Sequence, residues 1–374
     1  MLYTNASVFM PDGRFVHGGF EVENGRFTSV FEGERAGGED LCGAKVIPGL
    51  VEVHSHGNSG ADFSDGDYDG LTRMARWYAQ NGVTSFAPAS MTLPYDVLEK
   101  AFATARRLAD KKPEGCARLE GINMEGPFFS MAKKGAQNGE YLQLPDFEAF
   151  LKLYEGCGGL IRIVDLAAEL PGAVAFTEKA SGLCTVSIGH SDADYGAASA
   201  VFDAGASHVT HLFNAMPPIH HRKPGVIGAA SERENVVAEL ICDGIHVHPS
   251  VVRMAFRLFP GRICLISDSL RCTGMPDGTY LFAGQQVTLN GARATLSDGT
   301  LAGSVSSLFQ CMQNVASWGI PEETAIIAAT KTPAEELGKG NEIGSIRTGL
   351  RADFVVCDGA LNRKAVYIEG KKIF

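Results

Sequence analysis

The sequence predicts an α/β protein, a (β/α)8 TIM-like barrel with a small β-sandwich domain formed by the N- and C-terminal segments. Between Leu50 and Ser269 the chain repeats a short apolar, β-rich run that ends in a polar residue, and eight such runs can be counted. Amphipathic stretches separate most of the runs, and parallel strands require crossovers of this kind. No Gly-x-Gly-x-x-Gly follows the first run, which argues against an open dinucleotide-binding sheet.

The eight runs are nearly continuous in hydrophobicity, as expected for strands with both faces buried. In chain order they read LVEVH, VTSFAPAS, ARLEGINMEG, IRIVDLAAE, CTVSIGHS, HVTHLFN, VVAELICDGIH and RICLISDS. Helices are predicted for YDGLTRMARWYAQN, YDVLEKAFATARRLAD, DFEAFLKLYEG and PSVVRMAFRLF. Eight strand and crossover units are typical of a closed barrel.

The two ends of the chain differ from its middle. Residues 1–47 alternate short strands with the turn signals PDG and ENG, and residues 343–374 follow a similar pattern. We therefore expect both ends to build one small β-domain, while residues 48–342 form the barrel. Residues 275–303 are rich in turn signals and are interpreted as a hairpin insertion before the last helices.

Composition narrows the class of function. The 374 residues carry 33 basic and 43 acidic side chains, and the formal net charge of -10 repels nucleic acid and anionic lipid. The nine cysteines are scattered without a Cys-x-x-Cys pair, which is typical of buried thiols in a reducing compartment. No signal peptide or membrane-spanning run is recognisable. We expect a cytoplasmic protein with neither nucleic acid nor membrane as a partner.

Polar residues close several predicted strands, and in such a barrel the active site lies at these carboxyl ends. The first run leads into His54 and His56, whose imidazoles share one face if the strand continues through them. The other strand-end residues are Glu125, His190, His211, His246 and Asp268. One such residue often only caps a helix or holds a loop, but recurrence at the ends of strands one, three, five, six and eight indicates one shared site.

Histidine nitrogens and carboxylate oxygens suit zinc, iron, manganese or cobalt, and no cysteine accompanies them, which argues against a structural zinc site. The pattern therefore predicts an open catalytic site for a divalent metal. A bound ion lowers the pKa of water toward neutrality and polarises a carbonyl or phosphoryl oxygen, which is metal-assisted hydrolysis. Asp268, alone at the end of the eighth run, fits a general base.

A cationic loop follows the sixth run, where His220, His221, Arg222 and Lys223 lie in a Pro- and Gly-rich segment. Two interpretations stay open. The loop is either a solvated surface or, beside a metal site in an acidic protein, a local attractor for phosphate, which arginine grips bidentately. The two lysines of the AKKG segment either add to this attraction for phosphate or are exposed without a role in binding.

A set of longer motifs identifies a family. The stretches are PGLVEVHSHG, NMEGPFFSMAKKGAQN, SIGHS, HLFNAMPPIHHRKPGVIGAA, ICDGIHVHP, SDSLRCTGMPDGTY, LAGS and GSIRTGLRADFVVCD. Taken in order, they resemble the N-acetylglucosamine-6-phosphate deacetylases of the amidohydrolase superfamily over nearly the whole chain. HLFNAM followed by HHRKPG is specific to that family, whereas His-x-His and ADFVV are shared across the superfamily.

The resemblance implies roles for the strand-end residues. Glu125, His190 and His211 would bind the principal metal ion, and Asp268 would be the catalytic acid/base. Some members keep two histidines after the first strand and hold a second ion, so the His54–His56 pair implies one or two ions per chain. Members of this family are often dimers, and we expect a homodimer in which a neighbouring copy can complete the site.

The resemblance also implies the substrate contacts and shows where this chain departs from the family. The implied contacts are Ala136, Gln137, Asn214, Ala215, Arg222, His246, Leu301, Ala302 and Gly303, the last three at the acyl end. The family usually has histidine where Gln137 stands, often histidine where Asn123 stands, and an alanine-rich segment where Arg271 adds charge and bulk. These departures leave the preferred sugar epimer open.

Three functions are compared. The leading hypothesis is hydrolysis of N-acetylglucosamine 6-phosphate to acetate and glucosamine 6-phosphate in amino sugar catabolism, with a small sugar phosphate as the only partner besides a second copy. The alternatives within the enzyme class are a related substrate such as N-acetylgalactosamine 6-phosphate, or another amide, since fold does not fix function. A noncatalytic sugar-phosphate sensor is the third, and the complete set of strand-end residues disfavours it.

Overall fold

The computed structural model describes residues 1–374, and the chain begins with an antiparallel meander. Its strands are β1 (Leu2–Phe9), β2 (Phe15–Glu23), β3 (Arg26–Glu32), β4 (Glu39–Asp40) and β5 (Lys45–Pro48). Asn24 and Gly25 connect β2 to β3 with φ angles of 51° and 75°. Two positive φ angles are what a type I′ hairpin turn needs, so the Asn-Gly pair explains this turn.

The predicted apolar runs all form strands, with the third run divided into two. These strands are β6 (Leu50–Glu52), β9 (Val83–Phe86), β10 (Arg118–Leu119), β11 (Ile122–Met124), β12 (Ile161–Leu166), β13 (Thr185–Ile188), β14 (His208–Val209), β15 (Val237–Ile241) and β16 (Ile263–Ile266). A small antiparallel pair, β7 (Gly57–Asn58) and β8 (Ala61–Asp62), follows β6. The strands end before the polar residues that close each run, so those residues lie on loops.

Ten helices accompany the strands. They are α1 (Tyr68–Gln80), α2 (Tyr95–Lys111), α3 (Phe147–Gly156), α4 (Ala173–Ala180), α5 (Tyr195–Asp203), α6 (Gly225–Ser231), α7 (Pro249–Leu258), α8 (Leu308–Ser317), α9 (Glu322–Ala329) and α10 (Lys331–Glu336). Asp67 caps α1 by accepting from the backbone of Asp69 and Gly70. None of the helices combines the length and hydropathy that a bilayer-spanning segment needs.

The parallel strands pair in two sheets, with the orders β10-β9-β6 and β11-β12-β13-β14-β15-β16. Backbone hydrogen bonds join the two sheets at both edges. The N–H of Asn123 donates to the carbonyl of Pro88 at 3.0 Å, and the N–H of Asp268 donates to the carbonyl of His54 at 2.9 Å. The protein therefore has a mixed α/β fold in which the six-stranded parallel sheet is a half-barrel.

The turn-rich insertion forms a small antiparallel sheet of its own. Its strands are β17 (Gly278–Phe282), β18 (Gln285–Asn290), β19 (Arg293–Thr295) and β20 (Leu301–Gly303). Phe282, Val287 and Leu289 are buried with Leu270 and Met91 of the strand-end loops. The insertion therefore packs over the carboxyl ends of the parallel strands, where the predicted site residues lie.

The carboxyl-terminal strands return to the amino-terminal meander. They are β21 (Phe354–Cys357), β22 (Arg363–Ile368) and β23 (Lys371–Lys372), and the sheet has the order β23-β22-β21-β5-β1-β2-β3, with β4 beside β1. The rings of Phe20 on β2 and Phe354 on β21 lie 4.9 Å apart although β5 and β1 separate these strands. The sheet therefore folds over its own aromatic core.

Side chains alternate between two environments along the parallel strands. On β15, Ala238 and Leu240 pack in the outer core of 72 buried residues under the helices, whereas Val237 and Ile241 belong to a separate inner cluster. Glu239 shares the inward face because successive side chains point to opposite sides. Asp165 on β12 is placed inward by the same alternation, between Val164 and Leu166 of the outer core. The interior therefore holds buried carboxyl groups beneath the strand ends.

Candidate active site

A cavity of about 250 Å³ opens at the carboxyl ends of the parallel strands. Its lining residues are His56, Met91, Glu125, Gly135, Ala136, Gln137, His190, His211, Asn214, Ala215, His246, Asp268, Phe282, Thr300, Leu301, Ala302 and Gly303. Eight of the nine predicted substrate contacts and all the predicted metal ligands except His54 belong to this lining. His54 lies directly behind the wall and is wholly buried.

Four cavity residues other than glycine have a left-handed backbone. The φ angles are 47° at His190, 29° at His211, 49° at Ala215 and 48° at Asp268. L-residues other than glycine rarely adopt such angles, and they cluster at functional sites where the surrounding structure imposes them. His190, His211 and Asp268 each lie two residues past the end of a parallel strand, so the parallel sheet fixes the turn that aims each side chain into the cavity.

Glu125 lies at the centre of the ligand cluster. Its Oε1 is 3.0 Å from Nε2 of His190 and 3.2 Å from Nε2 of His211, and these two nitrogens are 3.1 Å apart. Its Oε2 accepts a hydrogen bond from Gln137 at 2.7 Å. The same Oε2 is 3.4 Å from Nε2 of His56. Oε1 therefore faces His190 and His211, whereas Oε2 faces Gln137 and His56.

The two histidines after the first strand meet Glu125 and Asp268. Nε2 of His56 is 3.3 Å from Oδ1 of Asp268, and Nε2 of His54 is 3.6 Å from Oε1 of Glu125. Strand β6 ends at Glu52, so the condition that the strand continues through both histidines is not met. The loop still brings the rings together, with centroids 5.5 Å apart.

The hydrogen bonds of the imidazoles leave their Nε2 lone pairs facing the centre. Nδ1 of His190 lies 2.8 Å from the carbonyl of Lys133, and Nδ1 of His56 lies 3.2 Å from the carbonyl of Ala89, so each Nδ1 carries a proton. Nε2 of His54 is buried without any hydrogen-bond partner. Lone pairs and carboxylate oxygens that converge without protons repel one another, and a cation among them removes that repulsion.

Two groups of side chains offer ligand atoms within 4.8 Å of one another: His54, His56 and Asp268, and His54, Glu125 and His211. Nitrogen and carboxylate oxygen donors of this kind fit divalent transition metals. The imidazoles of His54, His56 and His190 are oriented by a carbonyl or carboxylate acceptor at Nδ1, which is the usual outer arrangement of histidine ligands. Nδ1 of His211 is buried without a hydrogen-bond partner. The residues present therefore fit the predicted divalent ion.

The electrostatics of the cluster favour positive charge. Burial alone would raise the pKa of Glu125, yet His190, His211 and His54 hold that pKa well below its usual range. Burial opposes charge on His54, but Glu239 and Glu125 outweigh it and raise the pKa of His54. Protons and a divalent cation therefore compete for the same nitrogen atoms.

Asp268 lies in the wall of the same cavity, and its carboxylate is free to accept a proton. Burial would raise its pKa, but His56 and the neighbouring imidazoles lower the pKa of Asp268 instead. The side chain is therefore ionised near neutral pH and able to accept a proton. Phe282 of the insertion packs near His56, with ring centroids 5.3 Å apart, and narrows the cavity beside this carboxylate.

The remaining cavity residues supply polar groups farther from the cluster. Nδ1 of His246 is 2.7 Å from Oδ2 of Asp243, so Nδ1 carries the proton and Nε2 is left for a ligand. Gln137 is fixed by two contacts, because its Oε1 also accepts from the backbone N–H of Thr92 at 2.8 Å. The carboxamide that replaces the family's usual histidine thus has one orientation, pointing its amide at Glu125.

Arg222 is the predicted substrate contact that the structure does not bring to the cavity. It is exposed, and its guanidinium lies 2.7 Å from Nε2 of His221 in the cationic loop. Arg222 is not among the residues that line the cavity of its own chain. The contact of Arg222 with substrate stays a prediction.

Glu239 is a site residue that the sequence reasoning missed. Its Oε2 accepts from Nδ1 of His54 at 2.8 Å and from the backbone N–H of His211 at 3.1 Å. A signal was present, because an acidic residue inside the apolar run VVAELI needs a buried partner. Met91, Phe282 and Thr300 also line the cavity, and nothing in their local sequence marks them.

A parallel-stranded α/β fold with clustered imidazoles and carboxylates at its strand ends is typical of hydrolytic enzymes that use a metal ion. The model of the Amidohydrolase family matches residues 45–373, and the chain belongs to that family. The chain is 39% identical over 317 residues to the N-acetylglucosamine-6-phosphate deacetylase of Bacillus subtilis (strain 168), covering 83% of this chain and 80% of the relative. The resemblance inferred from the motifs is confirmed.

Two further comparisons extend this result. The N-acetylgalactosamine-6-phosphate deacetylase of Escherichia coli O157:H7 is 33% identical over 330 residues, covering 87% of each chain. Among solved structures, a variant of the Mycobacterium smegmatis N-acetyl-D-glucosamine-6-phosphate deacetylase, in complex with N-acetyl-D-glucosamine-6-phosphate, is 30% identical. It matches with a TM-score of 0.94 over 100% of this chain and 99% of that chain. The agreement extends through the insertion and the terminal sheet.

Proposed function

We propose that the protein hydrolyses the N-acetyl group of N-acetylglucosamine 6-phosphate to glucosamine 6-phosphate and acetate, in amino sugar catabolism. The observation that carries this proposal is one cavity in which Asp268 and the Glu125 cluster face the segment Leu301–Gly303. Relatives named for this reaction are 34% identical to the chain over as much as 100% of its length. A small polar substrate with one amide fits a cavity of about 250 Å³.

The proposed mechanism assigns the proton transfers to Asp268. Its carboxylate accepts a proton from the water that attacks the acetyl carbonyl, and it returns that proton to the amine as the carbon–nitrogen bond breaks. The new carbon–oxygen bond gives acetate. A divalent ion, when bound, supplies Lewis-acid polarisation of the carbonyl and lowers the pKa of water. Leu301, Ala302 and Gly303 hold the acyl end in this scheme.

We further propose that Glu125, His190 and His211 hold the principal ion, while His54 and His56 hold a second ion with Asp268 beside it. Oε1 of Glu125 lies near His190, His211 and His54, and Oε2 lies near His56, so this carboxylate would be shared by both ligand groups. Zinc, iron, manganese and cobalt all accept this set of nitrogen and oxygen donors. Ions about 3.5 to 4 Å apart are usual in two-metal hydrolases.

The first test of this arrangement is metal stoichiometry. Protein reconstituted anaerobically is expected to bind two ions per chain, and the double variant His54→Asn, His56→Asn is expected to bind one, because Glu125, His190 and His211 remain. Elemental analysis at saturating metal measures both values. If the wild-type protein binds one ion and the double substitution leaves that value unchanged, His54 and His56 hold no second ion and are only polar residues of the loop.

The phosphate contact is proposed to come from a homodimer. Asn214, Ala215 and His246 line the cavity, which supports their proposed contact with the sugar phosphate, but the chain's own Arg222 is not part of the lining. The cationic loop is exposed around Ile219, whose side chain is 50% exposed. We infer that Arg222 of one copy contacts the phosphate bound by the other, with Ala136 and Gln137 nearer the scissile amide.

Arg222→Ala is expected to weaken binding of the 6-phosphate substrate far more than binding of unphosphorylated N-acetylglucosamine. The loss should amount to about 1.5 to 3 kcal/mol, the range for hydrogen bonds to charged groups. Steady-state kinetics with both substrates gives the comparison, and Arg257→Ala, an exposed arginine on α7, is the matched control. Equal losses for both substrates would show that the loop has another role.

The reaction itself is tested by acetate release from a panel of N-acetylhexosamines and their 6-phosphates. We expect the highest kcat/KM with N-acetylglucosamine 6-phosphate. The related deacetylase named for N-acetylgalactosamine 6-phosphate makes that epimer the second candidate, and Gln137 and Arg271 are the departures that favour testing it. Faster turnover of an unphosphorylated amide than of every sugar phosphate would overturn the proposal.

Three broader assignments belong to the same proposal. The two parallel sheets, linked at both edges, are counted as one closed (β/α)8 barrel over residues 48–342. Residues 1–47 and 343–374 form the small β-sandwich domain, supported by their joint sheet and aromatic core. Nine free cysteines support work in a reducing compartment such as the cytoplasm.

A further inference from the structure

We propose that Glu239 is a positioning residue that aims the metal-binding histidines from beneath the site. This inference rests on the proposed function, because it assumes that His54 and His211 bind an ion. Glu239 is wholly buried on β15, and its Oε2 accepts from Nδ1 of His54 at 2.8 Å. The same oxygen accepts from the backbone N–H of His211 at 3.1 Å. One carboxylate thus contacts ligands carried by two different strands.

The contact with His54 fixes which nitrogen of its imidazole carries the proton and which keeps a lone pair. A proton on Nδ1 that points to Glu239 leaves the lone pair on Nε2. That Nε2 is buried, has no hydrogen-bond partner and lies 3.6 Å from Oε1 of Glu125. Without the carboxylate, the ring could carry its proton on Nε2 instead and lose its ability to bind a metal at that atom.

The contact with His211 fixes a backbone that would otherwise relax. The φ angle of His211 is 29°, in the left-handed region that favours glycine. Its N–H points inward to Glu239 rather than to a neighbouring strand. The hydrogen bond therefore stabilises the turn that directs the imidazole of His211 toward Glu125.

The second oxygen of Glu239 has a neighbour on the opposite side of the carboxylate. Its Oε1 lies 3.2 Å from Nε2 of His208, the first residue of β14. Nδ1 of His208 lies 2.6 Å from Oε2 of Glu336 on α10, whose side chain is 14% exposed. An alternating row of imidazoles and carboxylates therefore runs from Glu336 to His54, in which His208 lies beside the second oxygen of Glu239 at ion-pair distance without an aligned hydrogen bond.

A second interior carboxyl group provides the matched control. Asp165 is as deeply buried as Glu239 and faces the same interior, but neither of its oxygens has a hydrogen-bond partner. It touches no proposed metal ligand through a hydrogen bond. Asp165→Asn therefore changes a buried carboxyl group of the same layer without removing a contact to His54 or His211.

The experiment compares Glu239→Ala, Glu239→Gln and Asp165→Asn by calorimetric titration with zinc and by proton NMR. The NMR readout is the downfield, exchange-protected Nδ1–H resonance of His54, identified by its loss in His54→Asn. Glu239→Ala is expected to bind zinc about 10- to 100-fold more weakly, as removal of outer-shell partners usually does, and to lose that resonance. Glu239→Gln keeps an acceptor oxygen, so it should retain the resonance with a smaller loss of affinity.

The outcomes separate this inference from the proposed function. Wild-type zinc affinity and an unchanged His54 resonance in Glu239→Ala would overturn the inference. If Glu239→Ala does not fold, zinc binding by Glu239→Gln equal to that of Asp165→Asn would overturn it. A wild-type protein that binds only one ion contradicts the two-ion proposal, yet the His54 resonance still decides whether Glu239 orients that ring.

Discussion

Asp268→Asn is expected to bind substrate and metal as the wild-type protein does while kcat falls about 100- to 10,000-fold, the usual worth of general acid and base catalysis. The amide has the shape of the carboxylate but cannot accept and return a proton at neutral pH. The lowered pKa of Asp268 means that the wild-type group is ionised and ready to accept that proton. Pre-steady-state and steady-state acetate release measure the loss.

The control for this variant is Asp203→Asn, which neutralises a surface aspartate at the end of α5 that pairs with Arg233 at 2.7 Å and does not line the cavity. It should retain wild-type kcat. Binding of the uncleaved substrate by Asp268→Asn is followed by calorimetry, so that a loss of affinity is not mistaken for a loss of chemistry. Near-native turnover in Asp268→Asn would exclude Asp268 from the proton transfers.

Glu125→Gln is expected to lose tightly bound metal and about 1,000-fold or more in kcat/KM. The amide removes the negative charge between the two ligand groups and turns an N–H donor toward the lone pairs of His190 and His211. The protein should still fold, because those lone pairs gain a hydrogen-bond donor. The rate estimate follows from several kcal/mol of Lewis-acid stabilisation at about 1.36 kcal/mol for each factor of ten.

Metal content by elemental analysis and kcat/KM are measured together for Glu125→Gln, with Asp165→Asn as the control for loss of a buried carboxyl group. The control should keep its metal. Full metal content and unchanged kcat/KM in Glu125→Gln would remove Glu125 from the ion site, whereas loss of metal with intact thermal unfolding supports its assignment.

The alternation of apolar runs and amphipathic stretches was enough to predict the parallel strands and the helices α1, α2, α3 and α7, but α4, α5 and α6 were not singled out. Runs such as IRIVDLAAE are read correctly because burial on both faces leaves few polar residues before the strand ends. The exact ends of the strands were harder to predict. His54 and His56 follow β6 instead of lying on it, since the backbone of His56 donates to the carbonyl of Ser269 on a neighbouring loop.

The candidate site was predictable where a residue closes a strand, because the carboxyl ends of parallel strands meet at one place. Glu125, His190, His211 and Asp268 could therefore be grouped without knowledge of the tertiary structure. Arg222 shows the limit of this reasoning. A loop of 219–224 belongs to the same end of the sheet, but the direction in which it leaves the sheet depends on packing that no local pattern encodes.

Glu239 and Phe282 were missed for two different physical reasons. Glu239 lies in the middle of a strand. The partner that stabilises its buried carboxylate is His54, which is far away in the chain. Phe282 lies in the insertion, whose apolar alternation predicts strands but not the surface they cover. Its contact with His56 depends on how the small sheet packs over the ends of the parallel strands.

The left-handed backbone at His190, His211 and Asp268 has a consequence for how such a chain evolves. Strain of this kind costs on the order of 1 to 3 kcal/mol at each residue, and glycine would avoid most of it. A lineage selected for heat resistance alone would gain by placing glycine at these three positions. The imidazoles and the carboxylate at these positions therefore lower the thermal stability of the fold and are kept for the reactivity of the site.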